Sequence, residues 1–103
     1  MEYLWGIDLG GTKIELAVLQ KNDRKTIYRK RFATGAENGA IYIYDQIHQL
    51  IATAAQELKV NPTLIGIGTP GVIDPVSGLM KNSNTICLNG RTIESELQSN
   101  SNY

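Results

Sequence analysis

Gly6-Ile7-Asp8-Leu9-Gly10-Gly11-Thr12-Lys13, flanked by two alternating apolar stretches, is the run on which the reading of the fold turns. An acidic residue ends one strand. Two glycines then free the backbone to turn tightly and expose consecutive N–H groups, and Thr12 and Lys13 open the next strand with a hydroxyl and a cation. Each residue type suits a nucleoside triphosphate with its magnesium. The same residues also suit an ordinary two-strand hairpin in which the glycines only supply positive φ. The remainder of the chain decides between the two.

Outward from this run, residues 4–9 and 14–19 alternate and are rich in apolar side chains, which predicts an antiparallel pair. Residues 21–24 form a polar turn. Residues 26–33 make a third strand, with Ile27, Arg29 and Arg31 opposing Tyr28, Lys30 and Phe32. From 38 to about 59, Ile43, Ile47, Leu50, Ile51, Ala54 and Leu58 recur at three- and four-residue spacing, which predicts a long helix packed across the sheet. Asn61-Pro62 stops it, and residues 64–68 suit a buried fourth strand, parallel to the first and reached through the helix. Residues 72–80 read as a small hairpin, and residues 92–98 as a second helix with Thr92 as N-cap and Glu94 and Glu96 near its positive end. The tail, 99–103, is polar and patternless.

At 103 residues the chain has room for one domain, burying about 65% of the surface its unfolded form exposes. A two-lobed enzyme does not fit. Hydrophobic residues make up 42% and charged residues 19%, as in soluble globular proteins, and no apolar stretch approaches the roughly 18 residues that span a bilayer. No membrane partner is expected. The start Met-Glu-Tyr-Leu-Trp lacks secretory-signal features, so a cytoplasmic location is expected. The formal net charge is zero, and the basic run from Lys21 to Arg31 reads as a solvated strand edge rather than a nucleic-acid patch. Cys87 and His48 are the only residues of their types, which excludes an internal disulfide and a Cys/His metal cluster. His48 falls in the helical pattern as a surface or boundary residue.

A second constellation lies between Gly66 and Gly90: Thr69-Pro70-Gly71, Asn82-Ser83-Asn84-Thr85 and Leu88-Asn89-Gly90. Amides and hydroxyls donate to and accept from sugar hydroxyls without burying charge. An Asn/Ser-rich loop that bonds its own backbone has the same composition.

The order of Gly-Ile-Asp-Leu-Gly-Gly-Thr-Lys at 6–13, Gly-Ile-Gly-Thr-Pro-Gly-Val-Ile-Asp at 66–74, Lys-Asn-Ser-Asn-Thr at 81–85 and Leu-Asn-Gly at 88–90 resembles the N-terminal part of the ROK family. The family name stands for repressors, open reading frames and sugar kinases. The resemblance implies an α/β, ribonuclease H-like lobe of the actin/hexokinase ATPase fold over residues 1–98, followed by the tail. It implies ATP and magnesium as cofactors and a hexose as substrate. Asp8 would act on the magnesium, through water, while Gly10, Gly11, Thr12 and Lys13 meet the phosphates. Pro70, Gly71, Asn82, Ser83, Asn84 and Asn89 would belong to the sugar pocket, although Asn89 equally suits a role in holding its loop in shape.

The family's catalytic aspartate stands in an Asn-Asp motif, its sugar site includes Glu-x-Gly-His, and its zinc loop is rich in cysteine. No such Asn-Asp follows Gly90; Asn22-Asp23 lies in a turn, and Asp74 precedes a proline. The expectation is therefore an N-terminal fragment of an ATP-dependent hexose kinase, inactive by itself, with zinc confined to the missing part. Two alternatives stand beside it. A sugar-sensing transcriptional regulator would carry a DNA-reading helix before the first strand, where none is read. A self-associating module would follow from uncovered apolar surface at Ile65, Ile67, Val72 and Ile73, so a homo-oligomer is expected. The motifs leave the sugar open.

Overall fold

Alternation between apolar and polar side chains sets the first three strands. In the computed structural model, which describes residues 2–68, 72–73, 75–77, 79–81 and 88–98, they are β1 (Tyr3–Leu9), β2 (Lys13–Gln20) and β3 (Thr26–Ala33). Trp5, Ile7 and Leu9 of β1 and Ile14, Leu16 and Val18 of β2 are buried on one face. Because side chains alternate along a strand, Asp8 and Glu15 fall on the other. β1 and β2 are antiparallel, with Leu9 opposite Ile14 and Asp8 opposite Glu15. β2 and β3 continue the meander, with one irregularity between Val18 and Leu19. β4 (Ile65–Gly68) lies parallel to β1, giving the order β3-β2-β1-β4. Contrary to the expectation of a buried strand it is largely exposed, because it stands at the edge of the described sheet with a neighbour on one side only. A parallel neighbour requires a crossover, and the long helix provides it.

That helix, α1 (Ala40–Leu58), begins later than the periodicity suggests, because a 3-10 turn at Ala36–Asn38 precedes it. Gly35 enters this turn at φ 65°, and a Cβ there would lie 2.3 Å from the Tyr42 ring, so both conformation and space call for glycine. α1 ends ahead of Asn61-Pro62, through Lys59 in the left-handed region and a Val60 N–H bond to the Ala55 carbonyl. Its buried face comprises Ala40, Ile43, Tyr44, Ile47, Leu50, Ile51 and Ala54. Each fully buried Ile or Leu contributes about 1.5–3 kcal/mol of hydrophobic stabilisation. At the sheet, Tyr28 Oη and Lys30 Nζ of β3 donate to the two carboxylate oxygens of Glu57, at 2.9 and 3.0 Å. His48 is half-buried, and its Nε2 is enclosed without a protein partner.

A small hairpin, β5 (Val72–Ile73) and β6 (Met80–Lys81), follows, and then α2 (Ile93–Gln98). The Thr92 carbonyl accepts the first helical bond from the Glu96 N–H, as an N-cap residue does. Met80, Leu88 and Leu97 complete the core. A polar pin holds α2 to α1: Tyr44 Oη donates to Glu96 Oε2 at 2.7 Å, Arg91 Nε donates to the same oxygen at 3.1 Å, and the guanidinium lies 5.7 Å from the Tyr44 ring centre.

Burial first, and then the bond to Glu96, pushes the Tyr44 phenol up to about 12, against the opposing influence of Arg91. Burial and Glu57 raise Tyr28 to about 12 as well. A raised folded-state value means that the stability each phenol contributes is fully present below its unfolded value, near 10, and is lost as pH rises through about 12. Tyr44→Phe is expected to lower the thermal midpoint at pH 8 and to flatten its decline in strong alkali, so that variant and wild type converge near pH 12. Parallel curves across that range would show that the phenol does not hold α2.

Candidate functional site

The hairpin that joins β1 to β2 is shaped by one steric demand. Gly10 N–H donates to the Lys13 carbonyl at 3.0 Å. A Cβ on Gly10 would lie 2.8 Å from that same oxygen, closer than real side chains come. The φ of Gly10 is outside the left-handed region, so close backbone approach, rather than positive φ, is what calls for glycine here. Gly11, Thr12 and Lys13 are exposed at the tip.

Thr34, the residue after β3, is fully buried beneath this tip, and the sequence reading passed over it. Its N–H donates to the Thr12 carbonyl at 2.9 Å, and its hydroxyl donates to the Gly10 carbonyl at 2.8 Å. No local pattern in the sequence marks it; the strand register does. The β2–β3 register pairs Lys13 with Ala33, and one step further brings Thr34 across from Thr12.

Asp8 sits at the carboxyl end of β1, exposed, and pairs in parallel register with Gly68, the last residue of β4. A Cβ on Gly68 would lie 3.9 Å from Asp8 Oδ1, an ordinary contact distance, so this position adjoins the carboxylate. The like charge opposite, Glu15, is drawn towards β3 by Arg29 at 3.3 Å and Arg31 at 3.1 Å. Those pairs limit the repulsion between facing carboxylates. They also account for two cations of the basic run, while Lys30 pairs with Glu57 and Lys21 with Glu2.

Among the described residues, no group of three metal-ligating side chains converges. Magnesium does not require one, since it keeps much of its water and takes one or two carboxylates together with substrate phosphates. Asp8, exposed at the end of β1, with the Thr12 hydroxyl on the adjoining tip, fits that donor set.

Of the expected sugar-pocket residues, Pro70, Gly71, Asn82, Ser83 and Asn84 lie outside the described residues. Asn89 is exposed in a turn that is tied back to β6: Met80 N–H donates to the Arg91 carbonyl at 3.0 Å, and Gly90 N–H donates to the Met80 carbonyl at 2.8 Å. Residues 80 and 88–91 are thereby tied together, with Met80 and Leu88 buried. A separate cleft, lined by Glu2, Lys21, Val60, Asn61 and Leu64, lies at the amino ends of β1 and β4, away from the loop.

The chain matches the ROK family model over residues 4–103 and belongs to the ROK family. It is 31% identical over 93 residues to the N-acetyl-D-glucosamine kinase of Citrobacter koseri, covering 90% of this chain and 30% of that protein. The ROK family glucokinase from Streptomyces griseus, solved in complex with glucose and AMPPNP, superposes with a TM-score of 0.78 at 23% identity, over 95% of this chain and 30% of that one. The ROK hexokinase from Thermus thermophilus gives 0.71 at 26% identity, over 95% of this chain and 33% of that one. The fold is thus that of the actin/hexokinase-like ROK sugar kinases. The chain spans about 30% of the length of the curated relatives it matches.

Gly10→Ala is expected to force Lys13 away and to break the closing bond of the hairpin. The expected cost is about 1–3 kcal/mol, read from urea unfolding. A variant as stable as wild type would remove the steric account of the loop.

Proposed function

We propose that this chain forms the N-terminal lobe of an ATP-dependent hexose kinase, which transfers the terminal phosphoryl group of ATP to a sugar hydroxyl. The observation that carries the reading is the placement of Asp8 and the Gly10–Lys13 tip at the carboxyl ends of the parallel pair β1 and β4. In open α/β sheets, ligands bind outside those ends. Gly68, the last residue of β4, pairs with Asp8 across the parallel ladder.

Under this reading, backbone N–H groups at the tip and the Lys13 ammonium hold the phosphates, and the Thr12 hydroxyl donates to a phosphate oxygen. Asp8 accepts hydrogen bonds from waters of the magnesium ion, whose charge offsets that of the phosphates. Pro70, Gly71, Asn82, Ser83, Asn84 and Asn89 orient the sugar. The curated relatives, N-acetyl-D-glucosamine kinases, and the glucokinase neighbour favour glucose or an N-acetylhexosamine as the acceptor class. Phosphoryl transfer also needs a base on the attacking hydroxyl and a closed, dry site. We assign those functions to the remaining part of a full-length kinase, and we assign the kinase to the cytoplasm. Among the described residues, no helix is long and apolar enough to cross a membrane.

The chain by itself is proposed to self-associate through β4. This strand is the edge of the described sheet beside β1. Of the four residues expected to be uncovered, Ile67 is 36% exposed, Ile65 packs against the core, and the side chains of Val72 and Ile73 lie outside those described. Leu64, just before β4, is 81% exposed. Unpaired strand edges with apolar side chains template association. Light scattering is expected to show a dimer or larger species that Ile67→Lys shifts towards monomer; a monomer at high concentration would count against it.

Calorimetric titration with Mg-ATP tests the site. The folded chain is expected to bind, and Asp8→Ala to bind about 10- to 100-fold more weakly, as loss of a charge-assisted contact predicts. Equal affinities would remove Asp8 from the site.

A further inference from the structure

The buried threonine beneath the tip has a consequence for the direction of the loop amides. Thr34 engages two carbonyls of one short loop, Gly10 through its hydroxyl at 2.8 Å and Thr12 through its N–H at 2.9 Å. The peptides are trans, and a trans peptide holds its N–H opposite its C=O. The carbonyl of Gly10 shares a peptide with the N–H of Gly11, and that of Thr12 with the N–H of Lys13. Drawing the Gly10 carbonyl towards the buried residue therefore turns the Gly11 N–H away from it, at the exposed tip, whereas the Thr12 bond continues the β2–β3 ladder and leaves the Lys13 backbone facing Gly10.

Building on the phosphate-loop reading above, we propose that Thr34 is a positioning residue for phosphate binding: its hydroxyl bond to the Gly10 carbonyl orients the Gly11 amide as an anion donor, while its N–H bond to Thr12 anchors the loop. It touches no phosphate itself. Two features separate this role from generic packing. Thr34 is the buried polar residue of the described core, with a hydroxyl aimed at the loop rather than at a neighbouring side chain. The Gly10 carbonyl, following a glycine Cα with no side chain to hold it, would otherwise be free to rotate with its peptide. Successive oriented N–H groups form an anion-binding concavity, and their preorganisation avoids an ordering cost when phosphate arrives.

The test compares the 103-residue wild type with Thr34→Val, which keeps the volume and the backbone N–H but removes the hydroxyl, and with Thr34→Ser, which restores it. Mg-ATP and inorganic tripolyphosphate are titrated separately while the amide resonances of Gly11 and Lys13 are followed. Ile47→Val, in the core away from the loop, controls for lost stability. Wild type and Thr34→Ser are expected to bind within about twofold of each other, with the Gly11 amide shifting. Thr34→Val is expected to bind about tenfold more weakly, with a smaller shift, while the Ile47→Val affinity stays unchanged. If Thr34→Val does not fold, Thr34→Ala carries the same expectation. Undiminished binding by a folded Thr34→Val or Thr34→Ala would overturn the positioning role and leave the phosphate loop standing. Failure of the folded wild type to shift either amide with either probe would overturn both readings.

Discussion

Everything in this fold is referred to β1, which is paired on both sides. It runs antiparallel to β2, which fixes the tight hairpin, and parallel to β4, which brings the carboxyl end of a strand far along the chain beside Asp8. The double pairing satisfies its backbone in both directions and leaves one face, Trp5, Ile7 and Leu9, to seat α1. A one-residue slip against β2 would exchange that face for Asp8 and its neighbours. Core packing and site geometry therefore depend on one register.

Charge is managed at the other edge of the sheet. β3 is an edge strand in the described sheet and carries Arg29, Lys30 and Arg31 in succession. Alternation sends Lys30 towards Glu57 on α1, and Arg29 and Arg31 to Glu15 on the opposite face. The basic run thus has an account within the fold, as inter-strand and strand–helix pairs. Those pairs are individually weak at an exposed surface. They nevertheless discourage edge pairing and keep Glu15 occupied where it faces Asp8.

The elements were legible because each carries a periodicity that local sterics enforce. Alternation marked β1, β2 and β3 to within a residue or so, and the three-to-four spacing marked the buried face of α1. The ends of α1 were less legible. Gly35, Gly39 and Lys59 set them through positive φ, a property of backbone conformation that composition does not reveal. The Gly-Gly motif was recognised, yet the reason for Gly10 differs from the expected one. A carbonyl in close approach excludes a side chain, and that is visible only once the hairpin is closed.

By itself, the sequence determined the order of strands and helices, the apolar faces of β1, β2 and α1, and membership of the ROK family, because these rest on local pattern and on motif order. Tertiary structure alone decided which distant residues meet. Thr34 reaches a loop carbonyl 24 residues away, and Tyr44 binds Glu96 across 52. Gly68 lies alongside Asp8 through the parallel pairing of β1 and β4. Such contacts leave no periodic trace in the chain, since they depend on sheet register and on the seating of helices, which emerge only when the whole core is packed.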